Sequence, residues 1–213
     1  MPNWCHQTLE IQGPNEEINL FIKAITIEGE TDKYSLNQMF PCPEDLVNTI
    51  SGVGGDKAGQ TLRDKQYASN LEKYGYKDWY DWNCDNWGTK WGACDVELRD
   101  TTVLESDSST SHVGISFESA WSPATQLIQK ISESYPNCIF GLSFTEESNA
   151  FAGCIGISAG QFIFDKSIDT DSHPDFDFDT DEGYEKYQSW FDSIMQNIDE
   201  ALDSFMDEFT TKH

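Results

Sequence analysis

Three groups of residues have types and spacings that could carry chemistry. The first, Gly156-Ile157-Ser158-Ala159-Gly160, has the G-x-S-x-G spacing of a serine nucleophile, which needs a strand-to-helix elbow with a histidine and an acid in reach. Here it lies between two apolar runs, 151–157 and 161–164, so it reads as the turn of a β-hairpin. His6, His112, His173 and His213 stand beside no acid and serine pair at an informative spacing. No catalytic residue is assigned, and the balance is against an enzyme.

The second group is the acidic run Asp169, Asp171, Asp175, Asp177, Asp179, Asp181 and Glu182. Carboxylate oxygens hold hard cations, and a Ca loop begun at Asp171 puts Glu182 at its last position. It also puts Phe176 where the sharp turn requires Gly, which argues against a true EF-hand, while loose divalent-ion binding stays open and no metal or other cofactor is assigned. Alternate residues of an extended strand lie roughly 6.6–6.8 Å apart on one face, close to a phosphate separation of about 6–7 Å. Asp175, Asp177, Asp179 and Asp181, with Phe176 and Phe178 turned inward, could therefore imitate a phosphate track. The other reading is a solvated acidic loop.

The third group emerges only from the elements that bring it together. Residues 4–11 alternate toward Leu9 and Ile11 and stop at Gly13-Pro14, which predicts a strand. Ile18, Phe21, Ile22 and Ile25 recur at helical spacing behind Glu16 and Glu17. Residues 29–92 hold no alternation and read as a large insertion in which 61–82 are helical but polar. Cys94-Val96-Leu98 and Val113-Ile115-Phe117 predict two strands joined by an exposed connection over 105–111. A helix opens at Ser122-Pro123, with Leu127, Ile128 and Ile131 on one face, and a strand follows over Ile139–Phe144.

Strand, helix, strand, strand, helix, strand is the ferredoxin-like order, an α+β fold of two split β-α-β units in one antiparallel sheet. An added hairpin over 151–164 completes a core at 1–164, and 165–213 forms an acidic loop and a long amphipathic helix with Tyr187, Phe191, Ile194, Ile198, Leu202, Phe205 and Phe209 in its stripe. The stripe is wide enough to pack on its own core or across a dimer.

In such a sheet the start of the first strand, the start of the second and the end of the third meet at one end. Asn3, Trp4, Asn86, Trp87, Thr89, Lys90, Trp91, Trp121 and Ser122 occupy those places, and the fourth strand delivers Glu146 and Glu147. They could form a pocket that stacks a flat ligand and bonds its rim. Alternatively, the rings close the core beneath the insertion while the Asn side chains satisfy turn backbone.

Met1-Pro2-Asn3-Trp4-Cys5, Asn86-Trp87-Gly88-Thr89-Lys90-Trp91, Ala120-Trp121-Ser122-Pro123 and Tyr135-Pro136 together resemble the YubB-like family of phage and conjugative-plasmid proteins. The resemblance covers roughly residues 1–157 and implies a ferredoxin-like domain and a gene carried by mobile elements. It departs at Ala124, where a second proline is expected after the turn.

Charge bounds the partners. Thirty-eight acids against 13 Lys and Arg give a formal charge of -25, and 15 of those acids fall in residues 165–208 with only Lys166 and Lys186 beside them. Such a surface repels nucleic acid and anionic membranes over a Debye length of about 8–10 Å, which argues against direct nucleic-acid or membrane binding. The N-terminus has no basic region followed by an apolar run, and no apolar stretch is long enough to span a bilayer; a cytoplasmic protein is expected. Six scattered cysteines form no C-x-x-C pair, and Cys5, Cys94 and Cys138 alternate with apolar neighbours as core thiols.

The functional expectation is a non-enzymatic accessory protein of a mobile element that binds and inhibits a host protein through its acidic surface, as a nucleic-acid mimic directed at host defence. The alternative is a small-molecule or nucleotide-binding protein or enzyme that uses the Trp-lined end.

Overall fold

The computed structural model describes residues 2–30, 32–52, 57–103, 109–146, 148, 151–170 and 174–210. Its centre is a six-stranded sheet of β1 (Trp4–Pro14), β2 (Cys94–Val103), β3 (Thr110–Ala120), β4 (Ile139–Glu146), β5 (Phe151–Ser158) and β6 (Gln161–Asp169). The strand order is β2-β3-β1-β4-β5-β6, and every neighbouring pair is antiparallel. The first four strands are the ferredoxin-like arrangement, and the hairpin β5-β6 widens it at one edge.

Period-two burial builds this sheet. Cys5, Leu9 and Ile11 of β1, Val113, Ile115 and Phe117 of β3, and Phe140 and Leu142 of β4 are buried on one face. Against them pack α1 (Asn15–Ile25), through Ile18, Phe21 and Ile25, and α5 (Thr125–Ser132), through Leu127, Ile128 and Ile131. Gln7 shares that inward face and is fully satisfied. It donates to Ser119 Oγ at 2.6 Å and accepts from the Ala124 backbone N–H at 2.9 Å. That second bond accounts for Ala124, since proline has no N–H to give.

Residues 29–92 hold α2 (Glu44–Val47), α3 (Lys57–Tyr74) and α4 (Trp79–Asn86). The single polar helix expected over 61–82 is two, because Gly75 turns at φ +79° and Asp78 caps the next helix by accepting from Asp81 N–H at 3.1 Å. Phe40 stacks on Trp82 of α4, whose ring meets Trp87 edge-on, and Asn37 clamps Ala93 by donating to its carbonyl and accepting from its N–H. Cys94, Val96 and Leu98 are only half-buried, in contrast to the core thiol expected at Cys94, because β2 is an edge strand with irregular register after Cys94 and Leu98.

The opposite face of the sheet carries α6 (Asp181–Thr210). Ile198, Leu202 and Met206 bury a second core against Ile139, Ala152 and Cys154. Gly141 and Gly156 let the helix approach closely. A methyl group on Gly156 would lie 2.4 Å from the Phe205 ring. The boundary expected at residue 165 therefore falls inside β6, which runs on to Asp169 and ties Lys166 Nζ to the Asn197 carbonyl of α6 at 2.8 Å.

Candidate functional site

The acidic run does not form the expected extended track. Asp169 ends β6 opposite Phe151, and Asp171 lies outside the described residues. Asp177 accepts from Asp179 N–H at 3.2 Å, its carbonyl accepts from Thr180 N–H, and Thr180 Oγ1 accepts from Gly183 N–H at 3.1 Å. Asp181 and Glu182 already belong to the first turn of α6. Short Asp and Thr side chains bond their own backbone here, and that local turn-and-cap outcompetes extension. Nor is Phe178 buried: it is 51% exposed and rests on Tyr187 at 5.3 Å, while Phe176 packs on Tyr187 and Trp190. Asp175, Asp177, Asp179, Asp181 and Glu182 are all exposed, and Glu182 is held by Lys186 at 2.7 Å, which keeps its carboxyl below the ordinary range.

An ordered array of carboxylates exists instead along α6. At about 100° per residue, Asp181, Glu185, Asp192, Asp199 and Asp203 fall within roughly 40° of one another, and Glu182, Glu200 and Asp207 lie on the adjoining flank. All are exposed. The acids span about 39 Å from Asp181 to Asp207; the steps of four residues rise about 6 Å and the two steps of seven, Glu185 to Asp192 and Asp192 to Asp199, about 10.5 Å. The signal was in the sequence as a second period, carried by acids in the same segment whose apolar residues define the amphipathic helix.

Asp181 and Glu182 suit the positive end of the helix dipole, but the acids further along oppose helix stability. Like charges at i,i+4, as at Asp199 and Asp203, repel, and acids in the last turn face the negative end of the helix dipole. No basic residue lies in that last turn. Partial desolvation, together with Asp203, raises the Asp199 pKa above the usual carboxylate value.

The half of the sheet that α6 leaves uncovered continues the acidic surface. A groove of about 330 Å³ between β1, β2, β3 and β4 is lined by Asp95, Glu97, Glu118 and His6, with Met195 of α6 as its wall. His6 Nδ1 lies 2.9 Å from Glu118, and His112 Nε2 lies 2.6 Å from Glu10 on the same face. Among the described residues no cluster of three or more His, Cys, Asp or Glu side chains is arranged to hold a metal ion.

The topology does bring the Trp-rich residues to one end, where it divides them into two sets. Trp4 pairs with Ala120, Cys5 with Glu146, and Trp121 N–H donates to the Asn3 carbonyl at 2.9 Å. Trp87 is buried and donates from Nε1 to the Phe40 carbonyl; Thr89 is buried and donates to the Ala120 carbonyl. Asn86 donates to the Trp82 carbonyl and Ser122 to that of Gly88. Glu146 is buried, accepting from the Ser148 backbone N–H and hydroxyl. These five hold the scaffold. Asn3, Trp91 and Trp121 remain exposed, with Lys90 half-buried beside them and Trp4 half-buried behind Trp91 at 6.0 Å. Glu147 lies outside the described residues.

Residues 99–189, less than half of the chain, match a family model described as a ferredoxin-like domain in Api92-like protein. A crystal structure of protein Api92 from Yersinia pseudotuberculosis is similar at 11% sequence identity and a TM-score of 0.45, over 82% of this chain and 100% of that one. No curated protein matches significantly.

Proposed function

We propose that this protein is a non-enzymatic accessory protein of a phage or plasmid that binds a basic surface of a host protein through the acidic stripe of α6, occupying a site otherwise filled by nucleic acid. The observation that carries the reading is the line of exposed carboxylates along one side of α6, which opposes the stability of the C-terminal half of that helix. Nine acids and one lysine lie between Asp181 and Thr210. Nothing in the packing of α6 requires them, since its sheet contacts are made by Ile194, Ile198, Leu202, Phe205 and Met206. At its two ends, Asp181 to Glu185 and Asp199 to Asp203, the rise is close to the spacing of neighbouring phosphates, about 6–7 Å, and the whole stripe is about as long as one duplex turn. The mobile-element origin is carried by the resemblance of the Trp-containing blocks to the YubB-like family.

Affinity capture from host lysate tests the reading. The wild type is expected to retain a basic, nucleic-acid-binding protein at low salt and to release it at high salt or to added duplex DNA. Changing Asp181, Asp192, Asp199 and Asp203 to Asn and Glu185 to Gln should reduce capture mainly through the association rate. Recovery of no basic partner at low salt, or equal recovery by the neutralised helix, overturns it.

A further inference from the structure

The surface left by Trp91, Trp121 and Lys90 is independent of the acidic stripe. Trp121 adopts φ +65°, a left-handed conformation that a bulky side chain takes only under constraint. Burial does not repay that strain, because the residue is 46% exposed. The turn is nevertheless locked from both sides. Trp121 N–H donates to the Asn3 carbonyl, Thr89 Oγ1 to that of Ala120 at 2.8 Å, Ser122 Oγ to that of Gly88 at 2.7 Å, and Ser119 Oγ to that of Ser122 at 2.5 Å. A strained backbone held this firmly fixes an indole on the surface, where it is available to a ligand.

Beside it, Trp91 is 37% exposed and lies 6.3 Å from Trp121 with the rings inclined by 30°. Lys90 Nζ sits over both, 4.7 Å from Trp91 and 5.0 Å from Trp121. Five other lysines, Lys33, Lys73, Lys77, Lys130 and Lys186, pair with carboxylates. Lys90, like Lys23, Lys65 and Lys166, makes no such pair among the described residues, and its ammonium lies over two indole rings. An unneutralised ammonium against exposed indole faces is complementary to a flat ring that carries an anionic group.

We propose that Trp121, Trp91 and Lys90 form a binding site for a free nucleotide, the base stacking on the exposed indole of Trp121 and the phosphate meeting Lys90 Nζ. One local cation suits one phosphate group. A polymer would bring many phosphates against a net charge of -25, so the free nucleotide is favoured over a single strand.

Calorimetry and the indole N–H resonances of the full chain, titrated with adenosine monophosphate, test the site. Saturable binding that shifts the Trp121 and Trp91 signals is expected. Adenosine without phosphate, or Lys90→Gln, should weaken it about tenfold, the loss of one charge-assisted contact. Trp121→Gly should abolish it while leaving the melting temperature at or above that of the wild type, since glycine adopts the left-handed turn freely. Neutralising the α6 stripe should not weaken it. Absence of saturable binding by adenosine, guanosine, cytidine and uridine monophosphates overturns the proposal. Equal affinity for adenosine, unchanged binding by Trp121→Gly, or tighter binding of a short oligonucleotide also overturns it.

Discussion

At the residue scale, the cysteines show how environment decides reactivity. Burial and the nearby Glu146 carboxylate push the Cys5 thiol up to about 12, and burial with Glu17 does the same for Cys138. Cys42 and Cys154 are pushed up by burial to about 11. Cys84 is exposed. Only the thiolate reacts with alkylating reagents, so iodoacetamide at mildly alkaline pH should modify Cys84 first, with Cys5 and Cys138 protected until the protein unfolds. Peptide mass spectrometry reads the order. Gly92 is a second residue-scale test. It sits at φ +69°, and an added Cβ would lie 2.3 Å from Asn37 Oδ1 and 2.9 Å from the Trp87 ring. Gly92→Ala should cost about 1–3 kcal/mol by denaturant titration, because left-handed strain and displacement of the Asn37 clamp act together.

At the element scale, α6 is held by a small core and opposed by its own charge. Leu202 is buried against Gly141, so Leu202→Ala should cost about 2–4 kcal/mol and detach the helix before the rest of the fold melts, as seen by hydrogen exchange in 190–206. Asp199 behaves in the opposite sense. Its folded pKa is raised, so its stability contribution is present below the unfolded-state pKa and is lost as pH rises through the folded value. Asp199→Asn should therefore stabilise the protein at neutral pH, by roughly 0.2–0.5 kcal/mol for one relieved like-charge pair. The gain should vanish in acid, where the wild-type carboxyl is also neutral. Thermal melts across this pH range check the sign.

At the scale of the whole molecule, a net charge of -25 acts against the compact state. The melting temperature should rise with sodium chloride concentration, and the rise should be smaller once the α6 stripe is neutralised. Among the described residues no helix is long and apolar enough to cross a membrane. The two faces of the sheet have separate tasks. One buries the main core under α1, α5 and the helices of 29–92; the other is half-covered by α6 and leaves a polar, acidic surface beside it.

Alternation in β1, β3 and β4 and the apolar stripes of α1 and α5 were sufficient to determine the ferredoxin-like order, because period and burial are local consequences of backbone geometry. The meeting of Asn3, Trp87, Lys90 and Trp121 at one end also followed, since strand direction alone places them there. Tertiary structure decided which of these side chains are consumed. Trp87 and Trp91 are four residues apart and chemically identical, yet one is buried against Trp82 and the other lies at the surface. It also decided the form of the acidic run. Over 175–181 the spacing admits an extended track, and the bonds of Asp177 and Thr180 to their own backbone select a turn; the line along α6 follows from the helical period that the chain already carries.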